Sequence, residues 1–148
     1  MTAKEYLSQT HRLDQRVDNK LMLIESLRSM TQKVTSSHKK NVVTYTHNVT
    51  SLEDTIIRLM EAEAELNQQI DALVDLKREI LMNISALKNI DLELVLMKRY
   101  LHFLSWEEIA QEMGFSVRWV HSLHTRALME LDAVLQKHKE VDYPKVHT

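Results

Sequence analysis

The chain has 148 residues, a formal net charge of −2, 44% hydrophobic residues, one glycine, one proline and no cysteine. So few helix breakers predict an all-α chain of one or two small units; with no cysteine, disulfides, thiolate metal sites and a cysteine nucleophile are excluded. The near-neutral charge argues against indiscriminate wrapping of DNA, which needs a strongly basic chain, and no apolar run approaches the roughly 20 residues of a membrane span.

Residues 3–33 predict the first helix, because Tyr6, Leu13, Val17, Leu21, Ile24, Leu27 and Met30 recur near helical spacing. Residues 34–49 read as a long connection. Its first half, Thr35 to Asn41, is polar, and Val43, Tyr45, His47 and Val49 then alternate like a short strand. A single strand has nothing to pair with, so a loop is expected.

Residues 51–88 hold the strongest pattern. Thr50 and Glu53 have the spacing of a capping box. Leu52, Ile56, Leu59, Glu63, Leu66, Ile70, Leu73, Lys77, Ile80, Ile84 and Leu87 then step by alternating fours and threes, and nine of these eleven are aliphatic. Such a heptad seam predicts a coiled-coil-like helix of roughly 55 Å. It must be covered, either by the first helix folding back as an antiparallel hairpin or by a second chain in a homodimer. Glu63 and Lys77 interrupt the seam, to fix register or, more simply, to reach solvent.

After a break at Lys88–Asp91, Asp91 is expected to cap a helix running from Leu92 to about Phe103, with Leu94, Met97, Lys98 and Leu101 inward. The segment Ser105 to Leu123 then has the parts of a helix-turn-helix. Ser105 and Glu108 form a second capping box, and Ile109 and Met113 share a face. Ala110 lets a second helix cross closely. Gly114, the only glycine, ends the helix because it takes positive φ without steric cost. Phe115 turns inward, Ser116 caps the next helix, and Val120 and Leu123 are its inner face. The expected division is a hairpin over 1–89, a helix-turn-helix DNA-binding domain over 90–140 and a flexible tail over 141–148.

Leu96-Met97-Lys98-Arg99-Tyr100-Leu101, Ser105-Trp106-Glu107-Glu108-Ile109-Ala110 and the run from Val120 through Arg126-Ala127-Leu128-Met129-Glu130-Leu131 resemble region 4 of sigma-70-type factors. The opening Thr2-Ala3-Lys4-Glu5-Tyr6-Leu7 and the stretch Leu73 to Ile80 extend the likeness. Through them the chain is similar to small phage and prophage proteins of Gram-positive bacteria, described as sigma-like late transcriptional regulators akin to the ArpU and RinA groups. The resemblance implies control of late phage genes in the cytoplasm of a bacterial host, with double-stranded DNA and RNA polymerase as partners. There is no room for a domain that melts the −10 element, so a stand-alone sigma factor is not expected.

In a helix-turn-helix the first turns of the second helix enter the major groove. The outward positions are Ser116, Val117, Arg118, His121, Ser122 and Thr125. Arg118 suits guanine O6 and N7, or equally a phosphate, and Val117 suits a thymine methyl. Arg126, deeper along the helix, suits the DNA backbone or an acid of its own domain, and Lys98 and Arg99, before the motif, suit backbone phosphates. Trp119 is expected to pack on the first helix of the motif. His121 and His124 lack the further ligands a structural metal site needs. No phosphate loop or catalytic set is present, so neither a cofactor nor an enzyme is expected. Two other readings join the same parts: a DNA-packaging subunit like a small terminase, and a protein-interaction module without DNA binding.

Overall fold

A computed structural model describes residues 1–37 and 45–142. Every regular element among them is helical: α1 Ala3–Ser37, α2 Tyr45–Ser85, α3 Ile90–Leu96, a π-helical turn Met97–Leu101, α4 Trp106–Met113 and α5 Val117–Asp142. The centre of the expected connection, with Val43, and residues 143–148 of the expected tail lie outside the described residues.

The helices run further than the sequence patterns suggest. Residues 35–37 belong to α1, and Tyr45, His47 and Val49 belong to α2 rather than to a loop or strand. Thr50 therefore lies inside α2 rather than at its start. Once a helix is nucleated, each added residue gains a hydrogen bond. The lower helix propensity of threonine and valine, about 0.5 kcal/mol each, does not stop it.

The chain packs as two compact units, one of Met1–Arg12 with the residues from Val74 onward, the other of Leu13–Leu73. This grouping differs from the expected division at residue 90.

The Leu13–Leu73 unit is an antiparallel helical hairpin. Ile24 and Leu27 of α1 are buried against Ala62 of α2, with Leu59 and Leu66 packed beside them. Two ion pairs fix the register, Lys20 Nζ to Glu65 Oε2 at 2.6 Å and Arg28 Nη2 to Glu63 Oε1 at 2.9 Å. Here α1 of the same chain covers the seam. Leu52, Leu59, Leu66 and Leu73 face inward as expected, but the positions between them are displaced by one residue. Thr55, Ala62 and Gln69 turn inward, while Ile56 and Ile70 are 39% and 37% exposed. Ala62 gives the bulkier Ile24 and Leu27 room, so fit between helices outweighs the apolar character of single positions. Glu63 pairs at the rim of the seam rather than interrupting it.

The inward turn of Gln69 has a cost. Its Oε1 is buried without a hydrogen-bond partner, and an unmet buried acceptor destabilises by about 1–3 kcal/mol. Gln69→Leu is therefore expected to stabilise the hairpin by about 1 kcal/mol, read as a higher denaturant midpoint with unchanged slope. A lower midpoint would show that the amide is satisfied by water.

The other unit is built around one core. Ala3 and Leu7 of α1, Ile80 and Ile84 of α2, and Leu87 beyond it meet Leu92, Val95, Leu96 and Tyr100. Ile109 and Ala110 of α4 and Val120, Leu123, Ala127 and Leu131 of α5 complete it. Thr2 and Glu5 form a capping box at the start of α1, and the Ala3 amide donates to Asp132 Oδ1 of α5 at 2.7 Å. The fully buried Thr10 places its hydroxyl 2.8 Å from the Tyr100 carbonyl of the π-helical turn. Asn83 donates to the Tyr6 hydroxyl at 2.9 Å, and burial pushes that phenol up to about 12. Lys77 does not simply reach solvent: its Nζ donates to the Leu101 carbonyl at 3.2 Å.

Two expectations near residue 90 are corrected. The N-cap of α3 is Asn89, whose Oδ1 accepts from the amides of Asp91 and Leu92. The helix expected to run to Phe103 passes at Met97 into the π-helical turn, and its buried side is Leu92, Val95, Leu96 and Tyr100; of the expected inward residues, Met97 and Leu101 pack partly buried against this core, while Leu94 and Lys98 are not part of it. Apolar residues occur on every side of this helix, so periodicity alone does not choose the inner face.

Candidate nucleic-acid interface

α4, its turn and the start of α5 form the helix-turn-helix, fixed by local chemistry. The Ser105 amide donates to Glu108 Oε2 at 3.0 Å, and the Glu108 amide to Ser105 Oγ at 3.2 Å. Gly114 ends α4 at φ 69° and ψ 30°, and the Phe115 amide returns to the Ala110 carbonyl at 3.0 Å. Ser116 Oγ then accepts from the Trp119 amide at 3.1 Å and caps α5. A methyl added to Gly114 would meet nothing within 4 Å, so glycine is required for its positive φ and not for space. Gly114→Ala is expected to cost about 1–2 kcal/mol and Gly114→Asn less, because asparagine tolerates this region. Thermal melts of the two variants check the order.

The exposed start of α5 carries most of the expected site. Ser116, Arg118, His121, Ser122, Thr125 and Arg126 are exposed, while Val117 is half-buried and packed against the core. Helical geometry sets Arg118, Ser122 and Thr125 on one outward face, with His121 to one side and Arg126 to the other. Thr125 Oγ1 donates to the His121 carbonyl at 3.1 Å. Arg118 and Arg126 form no ion pair among the described residues. No acid occurs between Ser116 and Met129, so this face is locally basic within a near-neutral chain.

Trp119 differs from expectation. It is 48% exposed, and its ring meets that of Phe115 edge-on, with centroids 6.5 Å apart. The aromatic packed between α4 and α5 is Trp106, 4.5 Å from the His121 ring and 4.7 Å from the His124 ring. Trp119 thus joins the outer surface of α5. Alternation of apolar and polar residues does not reveal which tryptophan is taken inside.

Lys98 and Arg99 lie before α4 and are engaged. Lys98 Nζ is 2.5 Å from Glu112 Oε2. Arg99 Nη1 donates to the Leu104 carbonyl at 3.0 Å, and its guanidinium lies 4.3 Å from the centre of the Trp106 ring. Both residues tie the π-helical turn and its following segment to α4.

Behind α5, His124 is buried and shares a 2.7 Å hydrogen bond with the Tyr100 hydroxyl. Its ring and that of the exposed His121 both lie against Trp106. Burial first, then the charges of Lys4, Arg99 and His121, push the His124 imidazole down to about 4. Burial also raises the Tyr100 phenol. The folded chain therefore keeps His124 neutral where the unfolded chain, with an ordinary histidine value of about 6.5, protonates it. This contribution to stability is full above about pH 6.5 and is lost as the pH falls toward about 4. The melting temperature is expected to fall on acidification through that window, and less steeply in His124→Gln. Parallel profiles for the two proteins would assign the pH dependence elsewhere.

Residues 93–133 match the family model described as "Sigma-70, region 4". No curated protein and no solved structure matches the chain. The match spans the second half of α3, the π-helical turn, α4 and the first two thirds of α5, the segment whose geometry has just been described. The C-terminal part of the chain is a sigma-70 region 4-like helix-turn-helix domain, a DNA-binding regulatory class. Among the described residues, no helix is long and apolar enough to cross a membrane.

Proposed function

We propose that the chain is a sequence-specific transcriptional regulator that reads the major groove of double-stranded DNA with the start of α5. The observation that carries this reading is the acid-free exposed face of Arg118, His121, Ser122, Thr125 and Arg126, on a helix start fixed by Gly114 and Ser116. Arg118 reads a base, Ser122 and Val117 touch base edges or a thymine methyl, and Arg126 meets a phosphate. Lys98 contacts backbone only at the expense of its ion pair with Glu112, and Arg99 does so with the donors that the Leu104 carbonyl leaves. The genes controlled are late phage genes in the cytoplasm of a bacterial host, and RNA polymerase is the second partner. This part of the proposal rests on the sequence resemblance.

A homodimer is also proposed. The observation favouring it is the row of apolar side chains on α2 that α1 leaves exposed, with Ile56, Met60 and Ile70 each more than a third accessible. A DNA-packaging subunit would share these parts but form a ring.

The deciding experiment is retention of phage-genome fragments at two salt concentrations, with the oligomeric mass measured alongside. One fragment kept at the higher salt supports a sequence reader. Uniform binding that salt abolishes reduces the activity to phosphate contacts. No binding at either salt leaves the interaction-module reading, and a ring-sized mass favours packaging.

A further inference from the structure

Within the unit that holds the helix-turn-helix, a cleft of about 240 Å³ is lined by Ser8, His11, Arg12, Arg99, Tyr100 and Phe103. Two guanidinium groups, an imidazole and a hydroxyl line it, and among the described residues no carboxylate does. This concentration of cationic donors stands out in a chain whose net charge is −2. Arg12 is exposed and, among the described residues, forms no ion pair. Arg99 is preorganised: the Leu104 carbonyl takes one nitrogen at 3.0 Å, and the Trp106 ring supports its plane at 4.3 Å. A guanidinium has five N–H donors, so most of its donors remain for a ligand.

The wall of the cleft is set with equal firmness. Phe103 has φ 56°, a region that a bulky side chain rarely adopts. Its ring lies 5.7 Å from that of His11 and 4.8 Å from Lys77 Nζ, which places another cation behind the wall. Backbone strain of this kind, about 1–3 kcal/mol, collects where a chain clamps a ligand.

We propose that this cleft binds a phosphate group, held in a fork by Arg12 and Arg99, with Ser8 and His11 completing its shell. Planar paired donors match phosphate oxygens two at a time. The phosphate comes either from a free small molecule or from the backbone of a duplex seated on α5. Only the second source rests on the DNA-reading proposal.

The test uses the full chain and Arg12→Gln. Because Arg12 is exposed, the variant should fold and melt as the parent does without phosphate. Calorimetric titration with inorganic phosphate, against chloride at equal ionic strength, is expected to saturate for the parent. Arg12→Gln is expected to weaken it about tenfold or more, the value of a charge-assisted hydrogen bond. Duplex binding against salt then separates the sources: a slope reduced by about 1 in the variant assigns the site to a backbone phosphate, and an unchanged slope with a saturable phosphate response assigns it to a free one. A parent that answers phosphate no better than chloride, together with an unchanged slope, overturns the proposal. If no duplex binds at all, the phosphate titration alone decides, and the DNA-reading proposal fails separately.

Discussion

Cut away from residues 1–89, the segment 90–142 is expected to lose its cooperative fold. Its core is not its own. Leu7 of α1 and Ile80 and Ile84 of α2 are at most 1% exposed and pack with Leu92, Leu96, Val120 and Leu131 in one cluster. Removing a single buried aliphatic side chain costs about 2–5 kcal/mol. Several lost together exceed the roughly 5–15 kcal/mol that holds a domain folded. The Ala3–Asp132 hydrogen bond and the Thr10 contact to the π-helical turn vanish with them. Far-UV circular dichroism should show weak helicity without a sharp melt, and amide resonances should collapse to a narrow range. A dispersed spectrum with a cooperative melt from this segment would show that the first turns of α1 and the end of α2 are accessories to the fold.

The second large effect concerns recognition. Arg118→Ala is expected to weaken binding to the preferred duplex by about 1–3 kcal/mol, roughly tenfold to a hundredfold, while binding to unrelated duplexes changes little. This pattern follows from a guanidinium that reads a guanine edge. If Arg118 meets a phosphate instead, affinity falls alike for all sequences and the salt slope drops by about 1. Arg126→Ala supplies the comparison, because its place to the side of the outward face predicts the phosphate pattern. The two variants leave the fold intact, since both side chains are exposed and without ion pairs among the described residues.

The helix-turn-helix was legible in the sequence because its determinants are local. Ser105 with Glu108, Gly114 and Ser116 act on backbone groups no more than a few residues away, and each does in the structure what its chemistry requires. The hairpin was half legible. Every seventh position from Leu52 faces inward as the pattern says, but the choice between Thr55 and Ile56, or between Gln69 and Ile70, depends on the shape of α1 and has no local sign. The engagement of Lys98 with Glu112 and of Arg99 with Trp106 was hidden for a similar reason. A basic residue facing a phosphate and one facing a partner in its own fold look alike in sequence. The union of Met1–Arg12 with the C-terminal segment was not legible at all, because contacts across more than a hundred residues leave no periodic trace.

The hydrogen bond between Ala3 and Asp132 joins residues 129 positions apart. It sets an order on manufacture. Ala3 and Leu7 leave the ribosome well before Leu131, with which they share a core. Chains grow at about 5–20 residues per second, so the opening helix waits several seconds with an apolar face uncovered. A polypeptide stalled before Leu131 has a complete Ser105–Leu123 motif in sequence and no finished core beneath it. Such a fragment is expected to hold helices without a cooperative fold.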